Sequence, residues 1–166
     1  MSQSVSLLPL TPCLPIKSFS LYESKVINHA IRLLESHLFS NNDSYSNPNL
    51  VRNYLQLKLA SQANEVFAAM FLTSQHQLIS FEILFQGSIK ETVVYPRVIL
   101  QRALLLNAAC LIVAHNHPSG VTNPSSADRL LTDRIKTALE LVDIDLLDHF
   151  IVGKGEAFSF AETGLI

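Results

Sequence analysis

Residues 110–130 read CLIVAHNHPSGVTNPSSADRL, and the fold is best approached from this stretch. Its first five residues are all apolar, which is typical of a central strand buried on both faces. His115 and His117 follow directly, and side chains two positions apart in a strand point to the same face. A loop then leads to a helix predicted over about 126–141. The stretch therefore predicts a buried strand that ends in two imidazoles, followed by a loop and a helix.

Asp128 lies at the start of that helix and adds a carboxylate to the two histidines. Neutral imidazole and carboxylate are ligands that suit zinc, and three such ligands leave a fourth tetrahedral position open, as in catalytic zinc sites. The same residue types also hold iron in oxygenases, so the pattern leaves two metals open. Ser125 and Asp128 have a structural explanation as well, because S-x-x-D before an apolar helix is a capping-box pattern.

Glu82 is the candidate for a general base. It lies in LISFEILF (78–85), where it is the one carboxylate in an otherwise apolar strand. Burying an unpaired carboxylate is costly, so such a residue either faces solvent or is retained for a purpose. Spacing in the sequence does not decide between these two alternatives.

The wider pattern predicts an α/β fold, a mixed sheet packed by helices and preceded by a small helical appendage. Residues 1–17 are expected to be flexible, 19–39 to form an amphipathic helix with Ser20 as its cap, and 41–47 to form a polar linker. We expect 1–47 to precede a domain over 48–166. Further helices are predicted at 48–59 and 96–108, and strands at 65–72, 78–85, 91–95, 110–114, 148–153 and 157–160.

Composition limits the classes of function. The chain has 166 residues, of which 48% are hydrophobic and 16% charged, as in a compact globular protein. The net charge is −2 and the twelve Lys and Arg residues form no basic run, so a large nucleic-acid interface is not expected. Two cysteines make no disulfide framework, which fits a reducing compartment. Prolines interrupt the apolar N-terminus, so we expect no signal peptide or membrane span, and a cytoplasmic protein.

These residues carry a resemblance to a known family. His115, His117, Ser125 and Asp128 fit H-x-H-x7-S-x2-D, the JAMM motif of JAB/MPN-type metalloproteases. More closely, the stretches NAACLIVAHNHPSG (107–120), PSSAD (124–128) and LLDHFIVG (146–153) resemble the RadC family. The resemblance covers about residues 50–166. It implies an MPN-type fold with His115, His117 and Asp128 as zinc ligands. It also implies Glu82 as the base that activates water and Ser125 as a helper at the oxyanion.

The resemblance implies a zinc-dependent hydrolase that cleaves a peptide or isopeptide bond in a peptide or protein substrate. Two alternatives stay open, a role in DNA repair or recombination and a non-catalytic interaction module. Longer RadC-like proteins carry an N-terminal helix-hairpin-helix region that binds DNA. The first 60 residues here contain no glycine, so direct DNA binding through such a hairpin is not expected. The N-terminal helix could bind a partner, a second copy in a homo-oligomer, or its own domain. His149 is either a structural residue or a residue that supports the metal ligands.

Overall fold

The computed structural model describes residues 19–38, 48–87 and 93–166. Within them, four helices and five strands form a mixed α/β arrangement, which confirms the predicted class. The helices are α1 (Leu21–Leu38), α2 (Pro48–Leu59), α3 (Pro96–Leu105) and α4 (Ser126–Glu140). The strands are β1 (Val66–Leu72), β2 (Leu78–Gln86), β3 (Cys110–Asn116), β4 (Asp145–Val152) and β5 (Phe158–Ser159).

The strands form one sheet in the order β2-β1-β3-β4-β5. β1 pairs antiparallel with both β2 and β3, whereas β3 and β4 are parallel and are connected through α4. A parallel pair needs such a crossover, because its strands cannot be joined by a tight turn. β3 lies at the centre of the sheet and all of its residues are buried, as its apolar sequence predicts.

Alternate side chains of the sheet enter two cores. On one face, α1 and α2 pack against residues such as Met70 and Ile112. On the other face, α3 and α4 pack against residues that include Phe67 and Val113. Because successive side chains of a strand point in opposite directions, β1 and β3 contribute to both cores. The two histidines at the end of β3 belong to the face covered by α4, where Asp128 begins its helix.

The N-terminal helix docks on its own domain. Its start carries a capping box, in which the Ser20 hydroxyl accepts from the Glu23 backbone N–H (3.2 Å) and the Glu23 carboxylate accepts from the Ser20 N–H (2.7 Å). Further along, the Glu35 carboxylate accepts from the Tyr54 hydroxyl (3.1 Å) and pairs with Lys58 (2.8 Å) on α2. These contacts fix α1 against α2.

Most predicted boundaries agree with the structure to within three residues. The predicted flexible stretch 1–17 and the linker 41–47 lie outside the described residues. The strand predicted at 91–95 is wrong for its described part, because residues 93–95 lie in no strand. None of the helices in the described ranges combines the length and the apolar character that a membrane crossing requires.

Candidate functional site

The ends of two parallel strands place the two histidines. β3 runs beside β4, and the His117 N–H continues this pairing by donating to the carbonyl of Val152 (2.8 Å). His115 is buried and His117 is half-buried. Their side chains therefore lie one after the other on the same face, as the spacing predicts, and the second of them reaches solvent.

Asp128 is held by the N-terminus of α4. The Ser125 hydroxyl accepts from the Asp128 N–H (3.1 Å), and the Asp128 carboxylate accepts from both the N–H (2.7 Å) and the hydroxyl (2.6 Å) of Ser125. This is the capping box that the sequence indicates. Both hydrogen bonds from Ser125 go to Asp128 Oδ2, and Oδ1 lies 3.3 Å from His115 Nε2. The cap fixes the carboxylate in an orientation from which it also reaches the histidines.

The structure brings His115, His117 and Asp128 together as one possible metal-binding group, with ligand atoms all within 4.8 Å of one another. The two Nε2 atoms are 2.9 Å apart, His115 Nε2 lies 3.3 Å from Asp128 Oδ1, and His117 Nε2 lies 3.8 Å from Asp128 Oδ2. Ligands about 2.0–2.1 Å from a tetrahedral zinc are about 3.3 Å from one another. The three residues therefore fit a zinc ion by type and by spacing.

The tautomer of His117 is fixed by a backbone carbonyl. Its Nδ1 lies 2.7 Å from the carbonyl oxygen of Val121. A carbonyl can only accept, so Nδ1 carries the proton and, in the neutral ring, Nε2 offers a lone pair to the cluster. An imidazole lone pair beside a carboxylate favours a cation in the space between them.

The carboxylate of Asp128 stays ionised in this environment. Burial acts to raise the pKa of Asp128, but contacts with the His115 ring and the Ser125 hydroxyl lower it by more, so that the pKa lies well below its usual range. Metal ligands must be deprotonated to bind, so an ionised carboxylate beside two imidazoles is ready to act as a ligand.

His149 and Thr132 lie behind His115. His149 on β4 is fully buried, its Nε2 is 2.8 Å from His115 Nδ1, and its Nδ1 is 2.7 Å from the hydroxyl of Thr132. Burial, together with the neighbouring His115, lowers the pKa of His149 well below its usual value, so the ring is neutral. Of the two alternatives for His149, the geometry favours support of a metal ligand.

The structure does not bring Glu82 to this group. Glu82 pairs in β2 with Ala69 of β1, and Ala69 in turn pairs with Val113, two residues before His115 on β3. Both of its carboxylate oxygens accept from the guanidinium of Arg102 on α3 (2.8 and 2.6 Å). The predicted role of Glu82 as the base therefore has no support in the geometry. The half-buried carboxylate is explained by its ion pair.

A different acidic residue, Glu65, directly precedes β1 and is a candidate that sequence reasoning missed. Phe67 is the register partner of His115, and its ring stacks on that imidazole with centroids 6.2 Å apart. This register ends at Phe67 and His115, and extending it by two residues would put Glu65 opposite His117 and on the same face. The available signal was a carboxylate directly before a wholly apolar strand, but the sequence does not reveal which strand pairs with it.

Asn116 fixes the segment that carries Glu65. Its side chain points away from the histidines on either side of it. The amide oxygen of Asn116 accepts from the Val66 N–H (2.8 Å), and its amide nitrogen donates to the carbonyl of Asn64 (3.2 Å). On the other flank, the carbonyl of Glu65 accepts from the Gly87 N–H (2.9 Å). Glu65 is thus held between β3 and the end of β2.

A cavity of about 300 Å³ opens beside His117. Its walls come from the turn before β1, from the loop after β3 and from the turn after β4. Gln62 lies on one wall and Lys154 on another, and Val152 contributes apolar surface. The Lys154 N–H donates to the carbonyl of Gly120 (2.9 Å), so the two loops beside the cavity are joined by their backbones. The cavity is large enough for one or two side chains of a substrate.

Comparison with known proteins places this site in a family. The model of the RadC-like JAB domain matches residues 45–165. The UPF0758 protein YfjY of Escherichia coli is 45% identical over 161 residues, which cover 97% of this chain and 98% of that protein. A UPF0758 protein of Methylibium petroleiphilum is 52% identical over 141 residues, which cover 85% of this chain and 63% of that protein.

A UPF0758 protein of Chromobacterium violaceum is 58% identical over 122 residues, which cover 74% of this chain and 54% of that protein. This chain therefore spans between about half and two thirds of the length of several relatives that it matches, and nearly the whole of YfjY. The matched residues 45–165 contain the whole cluster and the mixed sheet that builds it. The chain thus belongs to the RadC-like JAB domain family.

Proposed function

We propose that this protein is a zinc-dependent hydrolase that cleaves a peptide or isopeptide bond with an activated water molecule. The observation that supports it most is the convergence of His115, His117 and Asp128 on one point, with separations that suit tetrahedral zinc. Zinc bound there would supply Lewis-acid activation of water near neutral pH. The half-buried position of His117 leaves a side of the site open to substrate.

Glu65 is the residue that we assign to proton transfer. A general base must lie within hydrogen-bond reach of the proton that it accepts, directly or through one water molecule. Extending the pairing of β1 with β3 two residues beyond Phe67 and His115 would put Glu65 opposite His117, whereas Glu82 is held in its ion pair with Arg102. We therefore propose that the Glu65 carboxylate takes the proton from the attacking water and passes it to the leaving amine.

For Ser125 we propose a role that differs from the oxyanion helper that the resemblance implies. A serine hydroxyl carries a single proton, and in this structure that proton is directed at Asp128 Oδ2 (2.6 Å). We propose that Ser125 orients the ligand carboxylate. The oxyanion role requires the hydroxyl to rotate away from Asp128, and Ser125→Ala would test both roles through zinc affinity and turnover.

The cavity beside His117 is the proposed binding place for part of the substrate. It combines an apolar wall with the amide of Gln62 and the exposed amine of Lys154. Polar groups of this kind can hydrogen-bond the main chain of a peptide, and the amine favours a carboxylate. A peptide or protein substrate fits this lining better than an apolar small molecule does.

The first test is zinc content, measured by elemental mass spectrometry on protein purified without chelator or nickel. We expect about one zinc per chain in the wild type, as in catalytic sites that hold zinc with three protein ligands. His117→Ala should lose it, and His29→Ala, which removes an exposed histidine of α1, should keep it. A folded wild type that stays free of zinc after zinc addition would contradict the proposal, and iron in its place would favour the oxygenase alternative.

The second test is hydrolysis of a peptide library in water enriched in ¹⁸O, read by mass spectrometry. Cleavage by water places ¹⁸O in the new carboxylate of the product. Glu65→Gln should keep zinc and lose about 100- to 10,000-fold in rate, the usual contribution of a general base. Glu82→Gln is the matched control and should keep both zinc and activity. Zinc binding without any hydrolysis would instead favour the non-catalytic module.

A further inference from the structure

A line of hydrogen bonds runs from the backbone of α4 to the first histidine of the cluster. Thr132 and His149, which are 1% and 0% exposed, form its two inner members. The Thr132 hydroxyl lies 2.7 Å from the Asp128 carbonyl and 2.7 Å from His149 Nδ1, and His149 Nε2 lies 2.8 Å from His115 Nδ1. Neither inner residue belongs to the metal-binding group itself.

The direction of every bond in this line follows from its first member. The backbone carbonyl of Asp128 can only accept, so it takes the single proton of the Thr132 hydroxyl. The hydroxyl oxygen then accepts from His149 Nδ1. A neutral imidazole has one N–H, so His149 Nε2 is an acceptor and receives the proton on His115 Nδ1.

At its other end, this line of hydrogen bonds reaches His115, whose Nε2 belongs to the candidate metal-binding group. With its proton on Nδ1, the His115 ring would leave Nε2 available to bind a metal ion at the point shared with His117 and Asp128. With zinc bound, both rings of the cluster would be in the same tautomer, one set by the carbonyl of Val121 and the other by the buried line of hydrogen bonds. Packing also fixes His149, because the ring of Phe160 stacks on it with centroids 4.8 Å apart.

We infer that Thr132 and His149 are positioning residues that fix the tautomer and orientation of His115 for metal binding. The inference rests on the proposed zinc site. It gives helix α4 two tasks within one turn, since Asp128 supplies a ligand through its carboxylate and anchors the line through its carbonyl. Hydrogen-bond partners of a metal-bound histidine are typically worth about 10- to 100-fold in metal affinity.

The tautomers are tested by NMR on protein with ¹⁵N-labelled histidine, with and without zinc, at about pH 8, where unperturbed imidazole is neutral. Two-bond couplings between ring protons and nitrogens identify the protonated nitrogen. We expect Nδ1 to carry the proton in His115, His117 and His149. A His115 ring protonated on Nε2 alone would overturn the inference.

Zinc affinity, measured by competition with a chromophoric chelator, tests how much Thr132 and His149 contribute to metal binding. Thr132→Val keeps the shape and removes the hydroxyl, so zinc should bind about 10- to 100-fold more weakly, and Thr132→Ser should restore binding. Ser159→Ala is the matched control, because it also removes a buried hydroxyl, one that donates to Asp148 (2.6 Å) outside the line. It should lose stability but keep wild-type zinc affinity.

Two outcomes would overturn the inference here. One is zinc affinity in Thr132→Val within about threefold of the wild type, and the other is an equal loss in Ser159→Ala. If Thr132→Val fails to fold, His149→Phe replaces it, with His149→Gln as the variant that keeps a donor and an acceptor. If the wild type binds no zinc, the proposed function fails, and the NMR measurement on the metal-free protein still decides the tautomers.

Discussion

Glu82 and Arg102 form a two-point ion pair in which the guanidinium Nε and one of its terminal nitrogens each donate to a different carboxylate oxygen. The pair joins β2 to α3 across the surface of the core. A hydrogen bond from Arg102 lowers the pKa of Glu82, against the opposing effect of partial burial, and Ser80 adds a weaker hydrogen bond. The half-buried Glu82 carboxylate in this apolar strand therefore stabilises the fold through its ion pair with Arg102.

The first prediction is that this ion pair stabilises the protein only above acid pH. The pKa of Glu82 is lowered in the folded state from 4.5, so its stabilisation is complete above about pH 4.5 and is lost as the pH falls through the folded value. Arg102→Met should lower Tm by no more than about 4 °C near neutral pH, since the pair is partly exposed. Thermal unfolding at about pH 7 and pH 3 should show that the Tm difference between the wild type and Arg102→Met is smaller in acid. An equal difference at both pH values would assign the effect to packing.

The second prediction is that zinc stabilises the folded chain. At a free zinc concentration 100 times the dissociation constant, binding to the folded state alone adds about 2.7 kcal/mol to the free energy of unfolding. For a domain of this size, Tm should rise by roughly 5–10 °C. Asp128→Asn should show a smaller rise, because it keeps a helix-capping side chain but loses the charge. Scanning calorimetry measures both, with magnesium as the control ion. A similar rise with magnesium would argue against an imidazole-containing site.

The third prediction concerns Asn116. Asn116→Ala leaves the N–H of Val66 without its partner in a buried strand, so the free energy of unfolding should fall by about 1–3 kcal/mol. Zinc content should stay at the wild-type value, because the side chain faces away from the ligands. Hydrolysis should fall, because the segment with Glu65 is no longer held. Asn123→Ala, in the exposed loop, is the control and should change stability by less than about 0.5 kcal/mol.

The fourth prediction concerns Gly153. An added Cβ there would lie 2.6 Å from the carbonyl oxygen of Gly120, a backbone atom that cannot move without its loop. Gly153→Ala should therefore lower the free energy of unfolding by about 1–3 kcal/mol and weaken zinc binding, because that loop continues to Val121, which fixes His117.

Gly155→Ala is the control for Gly153. A Cβ at Gly155 meets nothing within 4 Å, but its φ of +91° makes alanine strained. This variant should lose stability and keep zinc affinity. Denaturant unfolding and chelator competition on both variants distinguish the two effects. Wild-type zinc affinity in Gly153→Ala would contradict the coupling between the loops.

The sequence predicted the parts of the site that are local in the chain. His115 and His117 share a face because a strand repeats every two residues, and Asp128 follows after a short loop with its own capping signal. The proposed base, Glu65, was not predictable in the same way. Which carboxylate meets the cluster depends on the pairing of β1 with β3, and hydrophobic pattern gives a strand's faces but not its neighbours. In the sequence, Glu82 carried the stronger signal for a catalytic base. Its ion pair with Arg102, a tertiary contact, explains why a carboxylate lies in that apolar strand.

The position of Asn116 between two ligands has a further consequence for the order in which the site assembles. The three ligands come from one short stretch, and closing a short loop costs little conformational entropy. Glu65 joins them only when β1, from far upstream, docks beside β3 and is fastened by Asn116. The three candidate metal ligands thus lie close together in the chain, whereas the proposed base would join them only through the pairing of distant strands. Under the proposed function, a chain in which β1 has not yet paired with β3 would therefore lack the base that the reaction needs.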